Sequence, residues 1–146
     1  PVIIISVEKN KKDHISKLHN AICEMKEVQG IKMILYVEHT VDANDLGTAL
    51  WRFCNNLDPK RDNILYQQTT DNGQLLSCMG LDGTRKTKEF DNFQRDWPNI
   101  IVADEKTIKT IDDKWDQLGL GKFIPSPSLK FKEQMYGESA VSLQKI

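Results

Sequence analysis

Two short segments carry the residue types that could do chemistry. One is Asp58-Pro59-Lys60-Arg61-Asp62 and the other is Asp82-Gly83-Thr84-Arg85-Lys86. Each places basic side chains within a few residues of carboxylates. Such a set can face an anionic substrate or an adjacent protomer. Each also has a plain structural account. Pro59 breaks a helix, Asp58 bonds nearby backbone, and Arg61 pairs with an acid. Asp82 starts an Asx-type turn with basic neighbours. Turn signals are common and anion sites are rare, so the plain account is preferred from the residues alone.

The remaining candidates are weaker. His14 and His19 lie five residues apart on one expected helix, which does not bring them to a shared face as a metal pair. His39 follows a strand beside Glu38, at a strand end where α/β sheets bind ligands. A lone histidine without partners is more simply a partly exposed residue at a loop start. Gly80-Leu81-Asp82-Gly83 lacks the third glycine and the following helix of a dinucleotide fingerprint. There is no GxSxG elbow and no Cys/His pair with nucleophile spacing. The three cysteines, Cys23, Cys54 and Cys78, form no CxxC, which suggests reduced thiols packed as small apolar residues.

Bulk properties narrow the class. The 146 residues suffice for one domain with a core. Apolar content of 39% and charged content of 28% suit a soluble globular protein. Twenty basic and 21 acidic residues leave a net charge of -1, with no field to draw the protein to nucleic acid or an anionic membrane. No apolar run reaches transmembrane length. Residues 2–5 are apolar, but charges follow at once and no basic region precedes them, so no signal peptide is read there.

The elements that must position these residues follow from periodicity. Residues 2–7 read as a strand buried on both faces. Asp13 is placed to cap a helix with Ile15, Leu18, Ile22, Met25 and Val28 on one stripe, stopped by Gly30. Residues 33–37 form a second buried strand, completing a βαβ unit with parallel strands. Leu46, Ala49, Leu50, Phe53, Cys54 and Leu57 make the strongest amphipathic helix, capped by Asp42 or Asp45 and ended at Asp58-Pro59. Residues 64–68 and 75–81 read as strands around the turn Asp71-Asn72-Gly73. Residues 82–99 read as a long loop with a helical turn. Asp104 opens a last helix carrying Ile108, Ile111, Trp115 and Leu118, closed by Gly119. From Gly121 the chain is polar, and this tail is expected to be disordered or docked on a neighbouring subunit. The fold class expected is an α/β layered domain with a mixed, mostly parallel sheet containing a βαβ unit. The organisation expected is a domain over residues 1–120 and a tail over 121–146.

Taken together in order, two motifs resemble the C-terminal domain of the UbiD-type decarboxylases. The first runs from Val41 and Asp45 through Trp51 to Asp58, Pro59, Arg61 and Asp62. The second is Met79-Gly80-Leu81-Asp82-Gly83-Thr84-Arg85-Lys86, followed by Trp97-Pro98. The helix around Trp115 also resembles the family's last one, so the likeness covers residues 2–120. Gly83 replaces the family's usual alanine. Thr87 and Lys88 stand where many members have tryptophan-proline.

The resemblance implies a carboxy-lyase acting on an aromatic or α,β-unsaturated acid, with polyprenyl-4-hydroxybenzoate in quinone biosynthesis as one such acid. It implies prenylated FMN and a divalent, manganese-like metal in the full-length enzyme. Both belong to the flavin-binding domain that precedes this one in the same polypeptide, as does the catalytic glutamate-arginine-glutamate set. None of that set is found here. The chain is therefore expected to be a C-terminal fragment that is inactive and cofactor-free by itself. It would cover the substrate cleft and build a homo-oligomer, dimer or hexamer. Asp82, Thr84, Arg85 and Lys86 are the candidate cleft residues. Asp45, Trp51, Asp58, Pro59, Arg61 and Asp62 are structural members of the motifs. The localisation implied is cytoplasmic, peripheral to the membrane for a prenylated substrate. Two other readings stay open: a purely structural assembly module, and a stand-alone ligand-binding α/β domain. A receiver would need a second acid beside Glu38, and a flavodoxin a phosphate loop at residues 8–12.

Overall fold

The structure is a computed structural model that describes residues 1–144. The last two residues of the expected tail lie outside the described residues. The chain divides into two compact units, Pro1–Arg95 and Asp96–Ile146.

The first unit holds a four-stranded sheet. Strand β1 (Val2–Val7) leads to helix α1 (His14–Cys23), then β2 (Met33–Glu38), helix α2 (Leu46–Asn56), β3 (Asn63–Thr69) and β4 (Leu75–Asp82). The order across the sheet is β1-β2-β4-β3. β1 pairs parallel with β2, and β2 parallel with β4, whereas β3 and β4 form an antiparallel hairpin. The βαβ unit and the mixed, mostly parallel sheet are thus as expected. The hairpin turns at Asp71-Asn72-Gly73, where Gly73 has φ 80°, a conformation glycine adopts without steric cost.

Strand alternation assigns the two helices to opposite faces. Ile34 and Tyr36 of β2 pack with Ile15 and Cys23 of α1 and Cys78 of β4. Leu35 and Val37 face the other way, against Ala49 and Phe53 of α2. A strand between two apolar faces needs apolar residues at successive positions, and β2 is buried from Ile34 to Glu38.

Four local expectations are corrected. β1 is an edge strand and is only half-buried along most of its length. Asp13 occupies the position before α1, but its side chain makes no capping bond. The α1 stripe also breaks, because the helix ends at Cys23 and a 3-10 turn, Lys26–Val28, follows before Gly30 at φ 91°. In α2 the buried positions are Thr48, Ala49, Arg52, Phe53 and Asn56, while Leu46, Leu50 and Cys54 are exposed. Cys54 therefore does not pack as a core residue. Asp45 does cap α2, accepting from the Thr48 amide at 3.1 Å.

A short helix α3 (Lys88–Asp91) lies in the loop after β4. The second unit contains helix α4 (Glu105–Asp112), capped by Asp104, and 3-10 turns at Trp115–Leu118 and Pro127–Gln134. The expected last helix is thus shorter, and its continuation tightens to 3-10 before Gly119 at φ 66°. The polar segment beyond it is tied to residues 97–99. Ser142 donates its amide to the Trp97 carbonyl at 2.9 Å, and Asn99 donates its amide to the Ala140 carbonyl at 2.9 Å.

Candidate functional site at the carboxyl edge of the sheet

The parallel strands end at Val7, Glu38 and Asp82, and the chain enters the antiparallel β3 beside them at Asp62 and Asn63. Both sequence motifs therefore meet at the carboxyl edge, where α/β sheets present their ligand crevice. A cleft of about 250 Å³ opens there, lined by Lys9, Arg61, Asp62, Asp82, Lys86 and Asp91 among others.

Three cations and three carboxylates interlock around it. Lys86 is 1% exposed. Its Nζ donates to the carbonyls of Asp82 at 2.7 Å and Thr84 at 2.8 Å. The same ammonium lies 3.2 Å from Asp82 Oδ1 and 3.6 Å from Asp62 Oδ1. Asp62 is held in turn by the fork of Arg61, whose Nε and Nη2 each donate at 2.7 Å. Lys9, just beyond β1, donates to Thr84 Oγ1 at 3.0 Å, to the Arg85 carbonyl at 2.9 Å and to Asp91 Oδ1 at 2.7 Å. Asp91 Oδ2 accepts from the Thr87 amide at 2.8 Å. Buried charge is tolerated only when paired and hydrogen-bonded, and this set meets that condition.

The electrostatics follow from the packing. Burial pushes the Asp82 carboxyl up. Lys86, Lys9 and the hydrogen bonds from Thr84 outweigh that and hold it below the usual carboxylate range. Burial lowers the Lys86 amine, more than the attraction of Asp82 raises it. At the rim, the amides of Arg61 and Lys60 hold the Asp58 carboxyl low.

A second network flanks the edge on the α2 side. Arg52 Nη2 donates to Glu38 Oε1 at 2.9 Å. Asn56 Nδ2 donates to the same oxygen at 3.1 Å and to the Gly83 carbonyl at 3.0 Å. This explains why Arg52 and Asn56, rather than Leu46 and Leu50, turn inward on α2.

Of the candidate cleft residues, Asp82, Thr84 and Lys86 converge, and Thr84, Arg85 and Lys86 are all buried. Of the motif residues, Arg61 and Asp62 join the same network. Asp45 caps α2, Asp58 and Pro59 form the turn after it, and Trp51 is 45% exposed with the Arg52 guanidinium over its ring. His39 is exposed. Sequence reasoning missed Lys9 and Asp91. The position of Lys9, two residues past a strand end, was the available signal. No spacing rule joins it to Asp91.

The 3-octaprenyl-4-hydroxybenzoate carboxy-lyase C-terminal domain profile matches residues 1–83. The chain belongs to this family. The UbiD C-terminal match covers the whole sheet and both motifs up to Gly83. An uncharacterised protein of Aquifex aeolicus is 28% identical over 80% of this chain and 25% of its own length. The vanillic acid decarboxylase of Sedimentibacter hydroxybenzoicus shares the fold, with a TM-score of 0.55 at 13% identity over 83% of this chain and 27% of that one. The UbiD-class enzyme HmfF of Pelotomaculum thermopropionicum, solved in complex with FMN, gives a TM-score of 0.50 at 19% identity over 75% and 25%. The chain thus spans about a quarter of the length of these relatives.

The cleft does not fit a flavin. Its volume is below the roughly 300 Å³ at which small-molecule pockets begin, and its buried lysines and Arg61 are already committed to Asp62, Asp82 and Asp91. A flavin phosphate would compete with three carboxylates for the same donors. No helix of the described residues is long and apolar enough to cross a membrane.

Proposed function

We propose that this chain serves as the C-terminal domain of a carboxy-lyase that non-oxidatively decarboxylates an aromatic or α,β-unsaturated acid, of which polyprenyl-4-hydroxybenzoate in quinone biosynthesis is one example. Prenylated FMN and a divalent, manganese-like metal belong to the preceding domain of the same polypeptide, and no catalytic residue is assigned to this chain. The protein works in the cytoplasm, at the membrane surface when its substrate is prenylated.

The observation that carries this reading is the locked carboxyl edge. Lys9 and Lys86 fix the backbone of residues 82–91 to the ends of β1 and β4, so the loop presents a constant shape. Asp82, Thr84, Arg85 and Lys86 are positioning residues in this reading. They hold the surface that covers the substrate cleft, and binding sites between domains are common. A second role, oligomer assembly, rests on the exposed apolar ridge of Leu46, Leu50 and Trp51 on α2. The assembly is a homo-oligomer, a dimer or a hexamer.

The test is flavin absorbance, metal analysis and decarboxylation of aromatic acids, on this chain and on the longer polypeptide that contains it. The longer protein is expected to bind cofactor and turn over, and the chain to do neither. Flavin binding by the chain alone would overturn the assignment in favour of a stand-alone ligand-binding domain.

A further inference from the structure

Away from the carboxyl edge, three soft donors meet in the core beneath α1. His19 and Cys23 lie one turn apart on that helix, and Cys78 comes from β4. Each offers a ligand atom within 4.8 Å of the other two. Cys23 Sγ stands 3.6 Å from His19 Nε2. Around a tetrahedral zinc ion, with Zn–S about 2.3 Å and Zn–N about 2.05 Å, sulfur and nitrogen lie roughly 3.5 Å apart. All three residues are buried, His19 completely.

The surroundings can orient the histidine for a metal. The Tyr36 hydroxyl lies 3.0 Å from His19 Nδ1. Nε2 lies 3.4 Å from the Cys78 carbonyl oxygen as well as 3.6 Å from Cys23 Sγ, so metal binding requires the ring proton on Nδ1, donated to the Tyr36 oxygen, which frees the Nε2 lone pair. A metal-bound histidine is ordinarily oriented by such a bond from its other nitrogen. The backbone of Gly80 also makes room for the ring, since a Cβ there would stand 2.7 Å from His19 Nδ1. A cavity of about 30 Å³, lined by Cys23, Cys78 and residues 28–32 but not by His19, opens on the sulfur side of the cluster. That is space for one water molecule, enough for a fourth ligand.

Charge balance selects the ion. A neutral imidazole, two thiolates and a divalent cation sum to zero, so the complex leaves no uncompensated charge in an apolar core. A monovalent ion would leave one negative charge there. Burial lowers the His19 pKa, which favours its neutral, ligating form, and pushes the Cys23 thiol up to about 12. Each M–S bond forms as a Cys–SH bond breaks, so two thiol protons leave for solvent when the ion binds.

We propose that His19, Cys23 and Cys78 form a binding site for a thiophilic divalent cation, matched in donor set and charge by zinc, with a water in the adjoining cavity as fourth ligand. The bound ion would staple α1 to β4, independently of any activity of the longer protein.

The test is anaerobic titration of the reduced, chelator-stripped protein with zinc chloride. Calorimetry in two buffers of different ionisation enthalpy counts protons. One zinc per chain and two protons per zinc near neutral pH are expected. Cobalt(II) substitution should give a thiolate charge-transfer band. Cys54→Ser, which alters the exposed cysteine, should keep both signals. Cys23→Ala and Cys78→Ala should lower affinity at least 100-fold and lose the band. Should the alanine variants fail to fold by circular dichroism, the parent protein decides alone, because a cobalt complex without a thiolate band overturns the site. Uptake that survives in the doubly substituted protein overturns it as well. So does a metal-indifferent protein whose Cys23 and Cys78 close a disulfide under mild oxidant, which would make the pair a redox couple instead.

Discussion

Gly83 lies directly against Phe53: a Cβ added at Gly83 would run into the Phe53 ring and stand 2.9 Å from the Tyr36 carbonyl. Phe53 and the Tyr36 carbonyl leave no room for a Cβ, which accounts for the glycine here. Gly83→Ala is expected to destabilise the protein by about 1–3 kcal/mol, the usual cost of overpacking a filled core. Phe53→Leu in the same chain should recover part of that loss by freeing the ring's volume. A urea unfolding series on the two single variants and the double variant measures the coupling. Additive effects would show that the two side chains do not compete for the space.

Lys86 should matter first for folding. Its ammonium is buried between Asp62 and Asp82, so Lys86→Met leaves, among the described residues, Asp82 with only the Lys9 cation, 3.9 Å away, and Asp62 with only that of Arg61. Removing one partner of a buried ion pair costs about 3–5 kcal/mol. Asp82→Asn in the Lys86→Met background should be milder than the single losses summed. Turnover of the longer protein with Lys86→Met must be read beside its unfolding midpoint. Undiminished stability in Lys86→Met would disprove the network as described.

Acid should weaken the same edge. The Asp82 carboxyl is held below its ordinary range, so near the unfolded value of about 3.9 the unfolded chain binds more protons than the folded one. Its contribution is complete above that value and declines as pH falls through the lower, folded value. The stability gap between the parent and Asp82→Asn should therefore be constant near neutrality and close below about pH 4. Urea midpoints across the acid range check this. A gap independent of pH there would mean that Asp82 is not the group responsible.

Period and punctuation made the sheet legible. Continuous apolar runs gave β1 and β2, the Asp71-Asn72-Gly73 turn gave the hairpin, and the two motifs gave the family. Long-range charge was not legible. Lys9 and Asp91 are 82 residues apart, and nothing local pairs them. The α2 face was misjudged for the same reason. Arg52 and Asn56 read as solvent-facing by hydropathy, but the buried carboxylate of Glu38 gives them partners inside. His14 and His19, five apart, share no helix face. The pair that shares a helix face is His19 and Cys23, four apart, and Cys78 joins them only through the pairing of β4 into the sheet.

The part of the α2 stripe that stays outside leaves a ridge with a testable consequence. Leu46, Leu50 and Trp51 are 58%, 39% and 45% exposed, while the helix is anchored from its other side by Ala49, Arg52, Phe53 and Asn56. A charge placed on the ridge should leave the fold intact, because exposed substitutions usually change stability by no more than about 0.5 kcal/mol. Leu50→Glu is therefore expected to keep the unfolding midpoint of this chain. In the longer protein it should shift the proposed assembly to lower mass by light scattering, since a carboxylate at an apolar contact must be desolvated without a partner. Leu75→Glu, on β4 and 59% exposed, is the matched control and should leave the mass unchanged. An unaltered mass with Leu50→Glu would remove the ridge from the assembly and leave the domain's role at the carboxyl edge alone.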